Sequence, residues 1–133
     1  MKRALSIVCV AFASACAPAT EPDTGSLERE FGVREGEQVV VDDGRLTVGF
    51  QDVTEDSRCP TDAQCVWAGE ATVVLRLWEQ GREPAQVTLR TTEGKQTGTY
   101  GAYSVALRNL DPKPRTGGSA PETYLATLEV RRR

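Results

Sequence analysis

Apolar residues recur at every second position through most of this chain, and no stretch carries a long helical period. Leu46, Val48 and Phe50 alternate with Thr47, Gly49 and Gln51. Ala71, Val73, Leu75 and Leu77 share one face of a run whose other face carries Val74 and Trp78. Val87 and Leu89, then Tyr103, Val105 and Leu107, then Tyr124, Ala126, Leu128 and Val130 repeat the pattern. Successive side chains of a strand point to opposite faces, so this period predicts half-buried strands. Val39, Val40 and Val41 form a β-branched run that stops at the turn signal Asp42-Asp43-Gly44. Gly81-Arg82-Glu83-Pro84, Glu93-Gly94-Lys95 and the Pro- and Gly-rich residues 111–121 punctuate the rest. Six or seven short strands with turns between them predict an all-β domain over residues 31–133. A small antiparallel β-sandwich is the expected architecture and a small β-barrel the alternative, since the period is the same in both. The run over 71–78, apolar on both faces, predicts a central or covered strand.

Residues 1–30 lack the alternation. Met1-Lys2-Arg3 is a short positive start, and residues 4–15 are apolar and small. A spanning helix needs about 20 apolar residues, so this stretch reads as an export signal peptide, residues 1–15. Ala13-Ser14-Ala15-Cys16 resembles the bacterial lipobox, three small residues before a cysteine, with Ala13 where leucine is usual. The resemblance implies lipidation of Cys16, which becomes the mature N-terminus. Plain secretion, with Ala13 and Ala15 as an A-x-A cleavage site, is the alternative. Cysteine arithmetic favours the lipid. Cleavage before Cys16 leaves Cys16, Cys59 and Cys65, and an odd cysteine in an exported chain needs a role. Each buried methylene contributes about 0.8 kcal/mol, so two or three acyl chains on one cysteine make a lasting membrane anchor. The location predicted is the bacterial cell envelope, with a soluble secreted or periplasmic protein as the alternative. Residues 16–30, with Pro18, Pro22 and Gly25 and almost nothing large and apolar, predict a flexible lipidated tether. Residues 27–31 read as a short helical turn or the approach to the first strand.

The most distinctive local feature is Cys59-Pro60-Thr61-Asp62-Ala63-Gln64-Cys65, with Trp67 and Gly69 just beyond it. Two thiols without a histidine do not make a structural zinc site, and five intervening residues do not make a thioredoxin-like motif. In an oxidising compartment the pair predicts a disulfide. Closing a ring of seven residues contributes roughly 2.4 kcal/mol in the chain-entropy model. Pro60 stiffens the ring. Trp67 is expected to pack under the loop or over the disulfide, as an aromatic foot. Arg58 is expected to pair with Asp56 or Asp62, an exposed pair contributing roughly 0–1 kcal/mol.

The residues Asp56-Ser57-Arg58-Cys59-Pro60, then Cys65-Val66-Trp67-Ala68-Gly69, resemble a group of small uncharacterised bacterial lipoproteins and secreted proteins with the pattern D-S-R-C-P-x4-C-x-W-A-G. Tyr103-x-Val105-x-Leu107, Leu110-x-Pro112-x-Pro114 and Tyr124-x-Ala126-x-Leu128 extend the likeness over most of residues 36–131. The resemblance implies one exported β-domain and no established activity.

Composition narrows the function. The chain has no histidine, which removes the commonest general base and metal ligand. No nucleophile motif such as G-x-S-x-G and no EF-hand spacing occurs. The formal net charge is −3, and −5 for a mature chain with 14 basic and 19 acidic residues, so nucleic acid is not the expected partner. The Arg131-Arg132-Arg133 ending reads as a solvated tail. A non-catalytic lipoprotein is expected, without cofactor or metal, held to the membrane through Cys16 and binding a protein or glycan. Arg58, Pro60, Asp62 and Trp67 are the candidate partner-binding loop. The alternative is an inhibitor of a secreted protease that presents the Cys59–Cys65 loop.

Overall fold

The structure is a computed structural model that describes residues 24–133. The predicted signal peptide at 1–15, Cys16 and the start of the tether lie outside the described residues. Among the described residues nine strands run in chain order: β1 (Thr24–Gly25), β2 (Glu30–Arg34), β3 (Gln38–Val41), β4 (Leu46–Asp56), β5 (Ala71–Glu79), β6 (Ala85–Arg90), β7 (Thr97–Tyr100), β8 (Tyr103–Asp111) and β9 (Leu125–Arg132). They form two sheets, ordered β1-β3-β4-β5-β6 and β2-β9-β8-β7. All pairings are antiparallel except the two-residue β1, which runs parallel to β3. The sheets stay open and face each other, so the fold is the expected β-sandwich and not a barrel.

The core is aliphatic and lies between the sheets. One sheet contributes Val39, Val41, Leu46, Val48, Phe50, Val73, Leu75, Leu77 and Leu89, and the other Val33, Tyr103, Val105, Leu107, Leu110, Ala126, Leu128 and Val130. β5 is central, with Trp78 on its outer face beside Gly49. Two strands keep their apolar residues inward by breaking the simple alternation. A register shift between Phe50 and Asp52 lets Val53 pack inward after Leu46, Val48 and Phe50. A second, between Leu107 and Asn109, returns Leu110 to the core after Tyr103, Val105 and Leu107. Bulges of this kind add one residue and so reset which face the rest of the strand buries. Gly98 stands where the sheets come together at β6 and β7. A Cβ there would overlap Val87 and come within 3.1 Å of Leu89.

The domain begins earlier than residue 31, which corrects the tether's expected end at residue 30. Thr24 and Gly25 pair with Val40 and Val41. The Glu28 amide donates to the Val130 carbonyl at 2.8 Å, and Leu27 packs against the core. An edge strand needs only backbone groups, which a Pro- and Thr-rich sequence still supplies. The C-terminal arginines are also not a free tail. Arg131 and Arg132 belong to β9 and pair with Glu129 and Asp42. Asp42 sits at the β3–β4 turn, buried, and accepts from the Tyr103 hydroxyl at 2.6 Å and Arg132 Nη2 at 2.5 Å. The Tyr103 hydrogen bond and the Arg132 guanidinium together hold its carboxyl below the usual range. This contact fastens one sheet to the other at the end of the sandwich away from the cysteines.

Candidate functional site

At the cysteine end, β4 runs into a loop of residues 57–70 that returns as β5. Its base is zipped by backbone bonds from Ser57 N to Glu70 O at 2.8 Å and from Cys59 N to Ala68 O at 3.0 Å. Gly69 closes the base at φ +63, and a Cβ there would overlap the Ser57 carbonyl. Only glycine takes this conformation at this proximity without strain. Cys59 and Cys65 form the predicted disulfide, with Cα atoms 5.9 Å apart.

The ring does not stand free. It docks on the β8–β9 loop, residues 112–124, which begins with the cis peptide Asp111-Pro112. The Thr61 amide donates to Pro114 O at 3.0 Å. Asp62 Oδ1 accepts from the Thr116 amide at 2.8 Å and its hydroxyl at 3.1 Å. The Thr116 amide is the first cause that lowers the Asp62 carboxyl below its ordinary range.

Arg58 is the clasp between the two loops. Its Nε and Nη2 bind the two Asp56 oxygens at 2.8 and 2.7 Å. Its Nη1 donates to Leu110 O at 2.7 Å and Nη2 to Pro112 O at 2.9 Å. The Arg58 and Asp56 side chains are only 10% and 14% exposed, so this is not the exposed pair expected from sequence. The Tyr124 hydroxyl donates to Asp56 Oδ2 at 3.1 Å. Burial pushes Asp56 up, but Arg58's hydrogen bonds and charge outweigh it and hold the carboxyl below the usual range. Burial, then Asp56, pushes the Tyr124 hydroxyl up.

These contacts divide the four candidate loop residues. Arg58 spends its guanidinium on internal partners, Asp62 is exposed with Oδ1 bound to Thr116 of the neighbouring loop, and Pro60 is half-buried. Trp67 is 85% exposed and Val66 93% exposed. The expected packing of Trp67 beneath the loop or over the disulfide is therefore overturned. The polar side of the ring docks on residues 112–118, and the space under the loop goes to Arg58, so residues 66 and 67 are left on the outer side. Trp67→Ala should change stability by less than about 0.5 kcal/mol, as for an exposed side chain away from special features, in place of the roughly 3–5 kcal/mol a buried indole would lose. Replacing both Cys59 and Cys65 with Ala should lower stability by about 2 kcal/mol. Urea denaturation monitored by tryptophan fluorescence and circular dichroism measures both effects, and the β spectrum should survive in each variant.

The sequence did not reveal a groove of about 620 Å³ between β4 and the β8–β9 loop. Val53, Thr54, Glu55 and Asp56 form one wall, and residues 112–115 and 118–121 with Tyr124 form the rest. β3 covers β4 only as far as Gly49, and the Phe50 amide and carbonyl are taken by Glu37 and Gly36. Beyond that, residues 52–56 pair with β5 alone. The groove thus holds an open strand edge. The signal that could have found it is a length mismatch: an eleven-residue strand, β4, beside a four-residue partner, β3.

Among the described residues, no group of three or more acidic or cysteine side chains converges as metal ligands would. Comparison with family models, with curated proteins and with solved structures finds no match to this chain.

Proposed function

We propose that this chain is a non-catalytic, lipid-anchored protein of the cell envelope whose β-sandwich binds an extended segment of a partner protein. The observation that carries the binding role is the unpaired edge of β4 at residues 52–56 inside the groove. An exposed edge offers a row of backbone donors and acceptors, and an extended peptide completes the ladder. The proline-rich wall and Tyr124 supply apolar surface for alternate side chains of such a peptide. The carboxylates Asp42, Asp56, Asp62, Glu70 and Glu129 are all held below their ordinary range, so none is poised as a general acid near neutrality. This supports a binding role over a catalytic one. For the inhibitor alternative, in which the Cys59–Cys65 loop is presented to a protease, four internal hydrogen bonds from the guanidinium work against Arg58 itself as the residue that enters the pocket.

Two experiments test the two halves of the reading. Cys16→Ala should move the protein from the membrane fraction to the soluble fraction. Wild-type protein that is already soluble, with a lipid-free N-terminus by mass spectrometry, would refute the anchor. For binding, a photo-crosslinking residue at Thr54 should capture a discrete envelope protein, while the same residue at Gln86 on the far edge strand β6 should not. Equal labelling from both positions, or none from Thr54, would refute the groove.

A further inference from the structure

We infer that the Cys59–Cys65 disulfide is a redox switch on the groove: its reduction by a dithiol frees the outer wall over residues 114–121. The consequence for binding rests on the groove reading proposed above, but the release of the wall does not. Both ends of the β8–β9 loop are fastened without the disulfide. Arg58 Nη2 holds Pro112 O, and Glu35 takes both the Tyr124 amide and its carbonyl. Between them the fastening is different. Among the described residues, the hydrogen bonds that tie residues 114–121 to the rest of the domain all run to Thr61 and Asp62 of the ring. The Gly118 amide bond to Arg115 O is internal to the loop. One wall of the groove is the fixed strand β4, and the other is held in place by the ring.

The ring in turn depends on its sulfur bridge. Below it the Cys59 amide bonds Ala68 O, and within it the Ala63 amide bonds Pro60 O at 3.2 Å. Without the bridge, residues 60–67 become an open loop above the Cys59–Ala68 bond. Placing Thr61 and Asp62 for docking then costs the chain entropy that the closed ring had already removed. Cys65 is exposed and Cys59 half-buried, so an attacking thiol reaches Cys65 first. One thiolate of the dithiol bonds to Cys65 Sγ. The Cys59–Cys65 bond breaks, and Cys59 leaves as a thiolate that takes up a proton. The second thiolate of the dithiol then closes on its own partner sulfur and releases Cys65, which is protonated in turn. Two electrons and two protons pass to the protein, and the dithiol ends as a disulfide. The sheets bury their apolar faces outside the ring, so the change stays local.

The test compares mature protein, oxidised and after dithiothreitol, with free thiols counted by mass. Reduction should speed exchange of the Thr116 amide by about tenfold or more. The Gly36 amide, bonded to Phe50 O beside β4, should exchange as before. Capture by the photo-crosslinking residue at Thr54 should be lost. Asp62→Ala should free the same wall with the disulfide intact, and reduction should add little to it, because both act through one contact. Unchanged Thr116 exchange with both thiols free would overturn the inference. So would loss of the β spectrum on reduction, or a disulfide that resists dithiothreitol in the native protein. Capture that persists once the wall is freed would overturn its control of binding. Release of the wall in a protein whose oxidised form captures nothing from Thr54 would refute the groove reading and leave the switch standing.

Discussion

Phe50→Ala is expected to lower the unfolding free energy by about 3–5 kcal/mol, the range for truncating a buried aromatic side chain. Phe50 is 1% exposed and is the largest of the fully buried side chains among the described residues. It sits where β3 leaves β4 and just before the bulge that turns Val53 inward. Its backbone is also fixed, through Glu37 O and Gly36 N, so the strand cannot slide to fill the space. The loss combines the transfer of the ring from water with an unfilled cavity between two sheets that cannot close on it. Domains of this size are stable by roughly 5–15 kcal/mol, so the variant should unfold at much lower urea. Phe50→Leu should recover most of the difference, because it retains most of the apolar volume. A Phe50→Ala variant with an unchanged denaturation midpoint would place the ring outside the core.

Arg58→Ala should cost about 3 kcal/mol at neutral pH, the lower end for removing one partner of a largely buried ion pair. The substitution strips Asp56 of its guanidinium and leaves the Leu110 and Pro112 carbonyls without their donor. The pH dependence distinguishes this mechanism from simple loss of packing. In the wild type the Asp56 carboxyl is held below its ordinary value, so its contribution is complete above about pH 4 and is lost as pH falls through the lowered folded value. Without the Arg58 guanidinium, burial is opposed only by the backbone amide at position 58 and the Tyr124 hydroxyl, so the folded carboxyl titrates higher than in the wild type. The folded variant then keeps its proton to higher pH than the folded wild type, so it gains less stability than the wild type as pH rises. The gap between wild type and variant should therefore be widest at neutral pH and shrink on acidification to about pH 4 and below. Urea denaturation at both pH values measures it, and a gap independent of pH would assign the loss to packing alone.

The strands were legible in the sequence wherever the alternation itself carried them. Leu46, Val48 and Phe50, or Ala126, Leu128 and Val130, bury one face because period two leaves no other consistent choice. β7 was not legible, since Thr97-Gly98-Thr99-Tyr100 shows no apolar alternation. Its glycine is explained only by Val87 and Leu89 pressing from the other sheet. β1 was hidden because two backbone pairings leave no side-chain signature. The disulfide could be read from the spacing of its cysteines and the expectation of export, but the exposure of Trp67 could not. Aromatic character argues for burial in general, and the docking of the ring by Thr61 and Asp62 turned this indole outward. Arg58's partner Asp56 is two residues away and could be read locally. The carbonyls of Leu110 and Pro112 lie more than fifty positions downstream, and only the fold brings them within reach.

The parallel pairing of β1 with β3 also governs how the domain bears load. A pull on Thr24 directed along the strand axis would shear both rungs of the β1–β3 ladder together in place of peeling them one at a time. Past that ladder, the next fastening is the Glu28 amide on the Val130 carbonyl, which belongs to the opposite sheet. Tension entering through one sheet is thus handed within a few residues to the other. The mechanical yield point should lie in this N-terminal junction, while the β4–β5 pair that frames the groove stays unloaded.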